Sequence, residues 1–213
     1  MLGSIAGLFL AVSAAAAPGM APATLQTAMD RLTPAIGVLR YSSEITNPGS
    51  GDTSKRDTVA LAICVRADGL MLCPGHMVLE DNDPYNVTVT MGEGTGEHEY
   101  EAEVLPKPED VNVVFLKLKS DTPLNLPVVR FASKAPALGA PLAYLGIMGD
   151  SFDFAKNAIP TQVISTIDTP RKYYALGLAV RFGVVGAPVI DETGAAIGVV
   201  GFDLSRQEGG DLY

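Results

Sequence analysis

The sequence predicts an all-β protein of many short strands, folded as a sandwich or as two six-stranded barrels and preceded by one short helix. Runs rich in Val, Ile, Leu and Tyr recur between turn signals about a dozen times, with almost no helical periodicity among them. The 22 glycines and 15 prolines among 213 residues favour short elements joined by turns. A polar linker at 120–125 then divides the runs into two groups of equal size.

Taken in chain order, residues 1–29 carry no charged side chain, and an apolar run at 5–12 is followed by Ser13, four alanines, Pro18 and Gly19. This reads as a secretory leader over 1–17, cleaved between Ala16 and Pro22, although no Lys or Arg precedes the apolar run. The apolar run is too short for a membrane span, so no stable span is expected once the leader is removed. Residues 24–32 place Leu25, Ala28, Met29 and Leu32 at helical spacing, and Pro34 stops that helix. Strands are expected at 35–41, 58–66, 70–73, 85–91, 99–104, 113–119, 126–131, 141–145, 160–167, 172–178, 188–191 and 196–202. The N-terminal β-unit thus covers 24–120 and the C-terminal one 121–204, leaving 205–213 as a tail.

Asp68-Gly69 between two apolar runs reads as a two-residue hairpin turn. Counting outward from it sets Cys64 opposite Cys73, at a non-hydrogen-bonded pair where a disulfide is sterically plausible. An exported chain with an even cysteine count favours the bond over two buried free thiols.

Composition narrows the function classes. Fifteen basic against 24 acidic residues give a net charge of -9, which repels phosphate backbones, so no nucleic-acid partner is expected. His76 and His98 are the only histidines, and two so widely spaced make no metal motif. The acidic run Glu80, Asp81, Asn82, Asp83 lacks the spacing of a calcium loop and reads as a solvated turn. No metal and no cofactor are expected. Asn86-Val87-Thr88 is a glycosylation sequon, of consequence only in a cell that glycosylates exported proteins.

Four segments, in order and spacing, resemble HtrA-type, trypsin-like serine proteases. The run from Asp68 through Cys73, Pro74, Gly75, His76, Met77 and Val78 is similar to the family's hairpin leading into Thr-Asn-Asn-His-Val, with His76 at the position of the general base. Val111, Asn112, Val113, Val114, Phe115, Leu116, Lys117 resembles Ser-Asp-Ile-Ala-Leu-Leu-Lys, with Asn112 in place of the aspartate. Leu126-Pro127-Val128 and the strand after Gly139 follow in the same order. Gly183, Val184, Val185, Gly186, Ala187, Pro188, Val189, Ile190 resembles the nucleophile loop Gly-Asn-Ser-Gly-Gly-Pro-Leu-Val, and Val185 stands where the serine belongs. The resemblance covers 32–202 and implies two six-stranded antiparallel barrels of the chymotrypsin/trypsin-like fold. The peptide-binding PDZ module that often follows in such proteins is not expected after it.

A serine protease needs a hydroxyl nucleophile, a base that takes its proton and a carboxylate that orients the base. Val185 has neither lone pair nor proton to give, and losing the nucleophile costs about six decades in rate. Asn112 can orient a neutral imidazole but brings no charge; Asp110, two residues earlier and on the same strand face if the strand extends that far, is an alternative carboxylate, but it reads first as a solvated turn acid. The oxyanion hole that the resemblance implies uses the backbone N–H groups of Gly183 and Val185, which survive the loss of the serine. His76 on its own is equally a histidine satisfied by a backbone carbonyl.

The expected function is therefore a non-catalytic pseudoprotease, exported to the periplasm or beyond the cell, that binds or scaffolds a peptide or protein partner through the cleft between its barrels. Two alternatives stand beside it: an HtrA-type endopeptidase with an unrecognised nucleophile, and a small-molecule or ion-binding module walled by the apolar loop.

Overall fold

The computed structural model describes residues 19–46, 49–78, 83–92, 94–108, 111–168, 172–177 and 184–201. The segment 1–17, read above as a leader, lies outside them, as do Asp110, Gly183 and the acids Glu80 and Asp81. Met20, inside the expected cleavage window, is buried in the core.

Among the described residues the one α-helix, α1, runs Pro22–Leu32, beginning two residues earlier than its periodicity implied. Proline is free to occupy the first turn, where its missing N–H has no helical acceptor to lose. Ala28 and Leu32 are its buried residues, and a 3-10 turn, Thr33–Ala35, carries Pro34 into the first strand.

Six strands follow: β1 Ile36–Thr46, β2 Thr53–Arg66, β3 Leu70–Pro74, β4 Tyr85–Met91, β5 His98–Val104 and β6 Val113–Leu118. They close into a barrel in the order β1-β2-β3-β6-β5-β4. Closure follows from two-residue periodicity: Val87, Val89 and Met91 on β4, and Val114, Leu116 and Leu118 on β6, all turn to the buried side. His98 is exposed and begins β5.

The hairpin joining β2 to β3 overturns the expected cysteine register. Its loop has three residues, with Arg66 paired to Leu70 and Gly69 N–H donating to Arg66 O at 3.0 Å. A two-residue turn of the type expected needs positive φ at both central residues, whereas this loop needs it at Gly69 alone, where φ is 86°. Asp68 is then free to accept a forked pair of hydrogen bonds from Arg66, at 2.8 and 2.7 Å, and an ion pair from Lys117 at 3.1 Å. A bulge between Cys64 and Arg66 adds a second shift, so Cys64 pairs with Met71 and not with Cys73. Both cysteines are free thiols buried in the barrel, and Cys64 Sγ donates to Arg66 O at 3.2 Å. There is no disulfide.

The second unit comprises β7 Pro141–Ile147, β8 Lys156–Ile167, β9 Tyr173–Leu176, β10 Pro188–Ile190 and β11 Ala196–Val199, in the order β11-β10-β7-β8-β9. Among the described residues it is a five-stranded half-barrel, not a closed six-stranded one. The run at 126–131 forms no strand there. Pro127 has no N–H for a ladder, and the segment serves as a tie: Leu126 N–H bonds Ala67 O at 2.9 Å and Val129 N–H bonds Cys64 O at 2.8 Å. Phe131 then bridges to Ala196 on β11. One continuous hydrophobic cluster runs through both units.

Candidate functional site

β3 ends at Pro74, and the chain turns through a 3-10 turn, Gly75–Met77, that presents His76 at the mouth of the barrel. Gly75 N–H donates to Asn112 O at 2.9 Å, which fixes this turn against the residue preceding β6. The packing there admits only glycine. A Cβ on Gly75 would lie 2.4 Å from the backbone carbon of Asn112, 2.6 Å from its Oδ1 and 2.6 Å from the Val113 nitrogen. The side chain of Asn112 therefore lies directly against the histidine turn.

His76 is half-buried, and its Nδ1 is buried with no hydrogen-bond partner among the described residues. Burial holds its pKa below the ordinary histidine value, and the positive charges of Lys107 and Arg56 push in the same direction. These surroundings favour the neutral imidazole. Lys107 also donates to Val78 O, at 3.4 Å, just after the turn. Sequence reading singled out neither Lys107 nor Arg56: one sits in the connection after β5, the other on the exposed outer half of β2, and no local pattern ties either to a histidine.

Val185 comes to the same region from the second unit. Residues 184–187 form a tight turn closed by Ala187 N–H to Val184 O at 2.9 Å, with Gly186 at φ 86° in the position that demands glycine. Gly186 is also pinned by its N–H bond to Val200 O at 2.8 Å. A Cβ there would meet the Pro74 ring at 2.9 Å and Leu61 O at 3.4 Å. The turn bearing Val185 thus packs on the residue two before His76. Val185 itself is half-buried and offers an isopropyl group. Of the two backbone donors expected nearby, Gly183 lies outside the described residues. Among the described residues, no group of three or more His, Cys, Asp or Glu side chains is placed to hold a metal ion, and no helix is long and apolar enough to cross a membrane.

A closed barrel and a half-barrel, meeting where a histidine turn faces a tight glycine turn, define a peptidase-type β-fold. The sequence matches the family described as trypsin-like peptidase domain over residues 60–199, well over half of the chain, and the chain belongs to that family. Solved structures with the same fold include an HtrA-type protease with decapeptide, at 17% identity and a TM-score of 0.67, covering 87% of this chain and 60% of that one. The serine endoprotease from Yersinia pestis is 16% identical with a TM-score of 0.61, over 88% of this chain and 60% of that one. The HtrA-type protease AlgW with tripeptide is 18% identical, with a TM-score of 0.61 over 82% and 53%. At these identities the likeness is one of fold, and the chain spans about 60% of the length of the first two structures. A search of curated proteins finds no match.

Proposed function

We propose that this chain is a non-catalytic member of the trypsin-like peptidase family, acting outside the cytoplasm as a binding or scaffolding protein for peptide segments. The observation that carries the reading is Val185, in the tight turn packed on Pro74 beside the His76 turn. Its side chain has no atom that can attack a carbonyl, and Asn112 brings no carboxylate to the imidazole. Peptide binding is supported by two of the similar folds, whose structures contain a decapeptide and a tripeptide. Export is supported by the uncharged, alanine-rich start of the sequence.

The test is chemical. The purified protein is expected neither to hydrolyse unfolded casein nor to react with a fluorophosphonate probe, while the double variant Val185→Ser with Asn112→Asp gains probe labelling that His76→Ala abolishes. Labelling of the unmodified protein that disappears on mutating one of its own serines would overturn the proposal.

A further inference from the structure

Arg40 and Phe154 meet across the seam between the two units. Arg40, half-buried on β1, donates from Nη1 to Thr90 Oγ1 of β4 at 2.8 Å, which holds its guanidinium in place on the barrel. The guanidinium carbon stands 4.9 Å from the centre of the Phe154 ring, within cation–π range. Phe154 belongs to the other unit, in the loop between β7 and β8, and it packs against the shared core.

That loop is strained where it delivers the ring. Asp153 and Phe154 both have φ of 51°, consecutive left-handed residues neither of which is glycine. Asp153 caps the 3-10 turn Asp150–Phe152, a left-handed role that aspartate tolerates at modest cost, whereas for the bulky Phe154 the conformation is unfavourable and persists only when the surroundings impose it. Local hydrogen bonds shape the loop: Phe152 N–H to Gly149 O at 2.9 Å, Asp153 N–H to Asp150 O at 2.8 Å, Ala155 N–H to Phe152 O at 3.0 Å and a long one from Phe154 N–H to Gly149 O at 3.4 Å. At its base, Met148 N–H bonds Ala155 O at 2.9 Å. Phe152, two residues before the seated ring, is 61% exposed. One aromatic side chain is thus docked on the barrel, its neighbour is left in solvent, and the backbone between them favours release.

We propose that residues 149–155 are a strap fastening the half-barrel to the barrel, with Phe154 seated on Arg40 as its closed state and the backbone of Asp153 and Phe154 biasing it to open. The strap opens without unfolding either unit, because the tie through Val129 and the contact of Gly186 with Pro74 hold the seam elsewhere. This inference concerns the joint between the units and stands whether or not the His76 site is catalytic.

Amide hydrogen exchange on the full chain tests it. Phe154→Ala and Arg40→Met are each expected to speed exchange at 149–155 roughly three- to tenfold, the range that a cation–π contact implies, with β7 and β8 unchanged. Combining the two should add little beyond either alone. Phe154→Tyr keeps the ring and should exchange like the parent. Asp153→Gly removes the left-handed penalty and should slow exchange at 149–155. Unchanged exchange in Phe154→Ala and Arg40→Met, acceleration spread through the whole half-barrel, or faster exchange in Asp153→Gly would each overturn the strap.

Discussion

His76 is held in an environment that penalises its charged form. The imidazole is half-buried between Lys107 and Arg56, and no hydrogen-bond acceptor among the described residues meets its Nδ1. Its folded pKa is therefore lowered, so below about pH 6.5 the unfolded chain takes up the proton first. This contribution to stability is intact above pH 6.5 and is lost as the pH falls through the folded pKa. His76→Gln should flatten the acid side of a denaturation profile between pH 7 and 5, by at most about 1.4 kcal/mol per pH unit for one proton. A profile identical to that of the parent would show that the histidine is solvated. Asn112→Asp should move the His76 pKa upward, measurable by NMR titration of the ring protons. That His76 follows directly on a hairpin was legible because the run from Asp68 to Val78 is a local pattern, and it was the resemblance of that run to the family's motif that singled the histidine out. Its electrostatic surroundings were not, since Arg56 on β2 and Lys107 in the connection after β5 act on it from positions distant in sequence.

At the scale of elements, eleven of the expected strands form, because apolar alternation between turn residues is set by the chain's own neighbours. Register is a finer matter, decided by how many residues a turn takes. One extra loop residue and one bulge moved Cys64 from Cys73 to Met71, a choice governed by the φ of Asp68 and the fork of Arg66. The cysteines become a test of that register. Burial pushes both thiols above their ordinary pKa, Cys73 more than Cys64, so neither should react quickly with a thiol reagent in the folded protein. Denatured, unreduced protein should show two free thiols, and a count of zero would restore the disulfide and the two-residue turn. Gly75→Ala probes the neighbouring element. A methyl group at 2.4 to 2.6 Å from the Asn112 and Val113 backbone has no room, and the variant should lose about 1–3 kcal/mol or more in chemical denaturation.

The whole molecule is joined by contacts that no strand pattern announces. The segment at 126–131 has the apolar composition of a strand, but Pro127 denies it a ladder, and its hydrogen bonds go instead to the β2–β3 hairpin at one end and β11 at the other. α1 adds a second joint, since Arg31 donates to Gly194 O in the β10–β11 turn and Ala28 lies against that glycine. Asp191 stiffens the same turn by accepting from Thr193 N–H at 2.9 Å, Thr193 Oγ1 at 2.6 Å and Ala195 N–H at 3.1 Å. The barrel and the half-barrel should therefore unfold as one cooperative unit while these joints hold. Val129 is the place to test that, because its N–H reaches Cys64 O inside the first unit while its side chain is buried. Val129→Ala keeps the N–H and loses only packing, whereas Val129→Pro also leaves the Cys64 carbonyl without that donor, a further cost of about 1–3 kcal/mol. For a chain of this size each kcal/mol lowers Tm by about 2–4 °C. The proline variant should melt that much below the alanine variant and, if the tie is what makes the units cooperative, in two steps where the parent shows one. Equal Tm values for the two variants would mean that the hydrogen bond contributes nothing and that the other joints alone hold the units together.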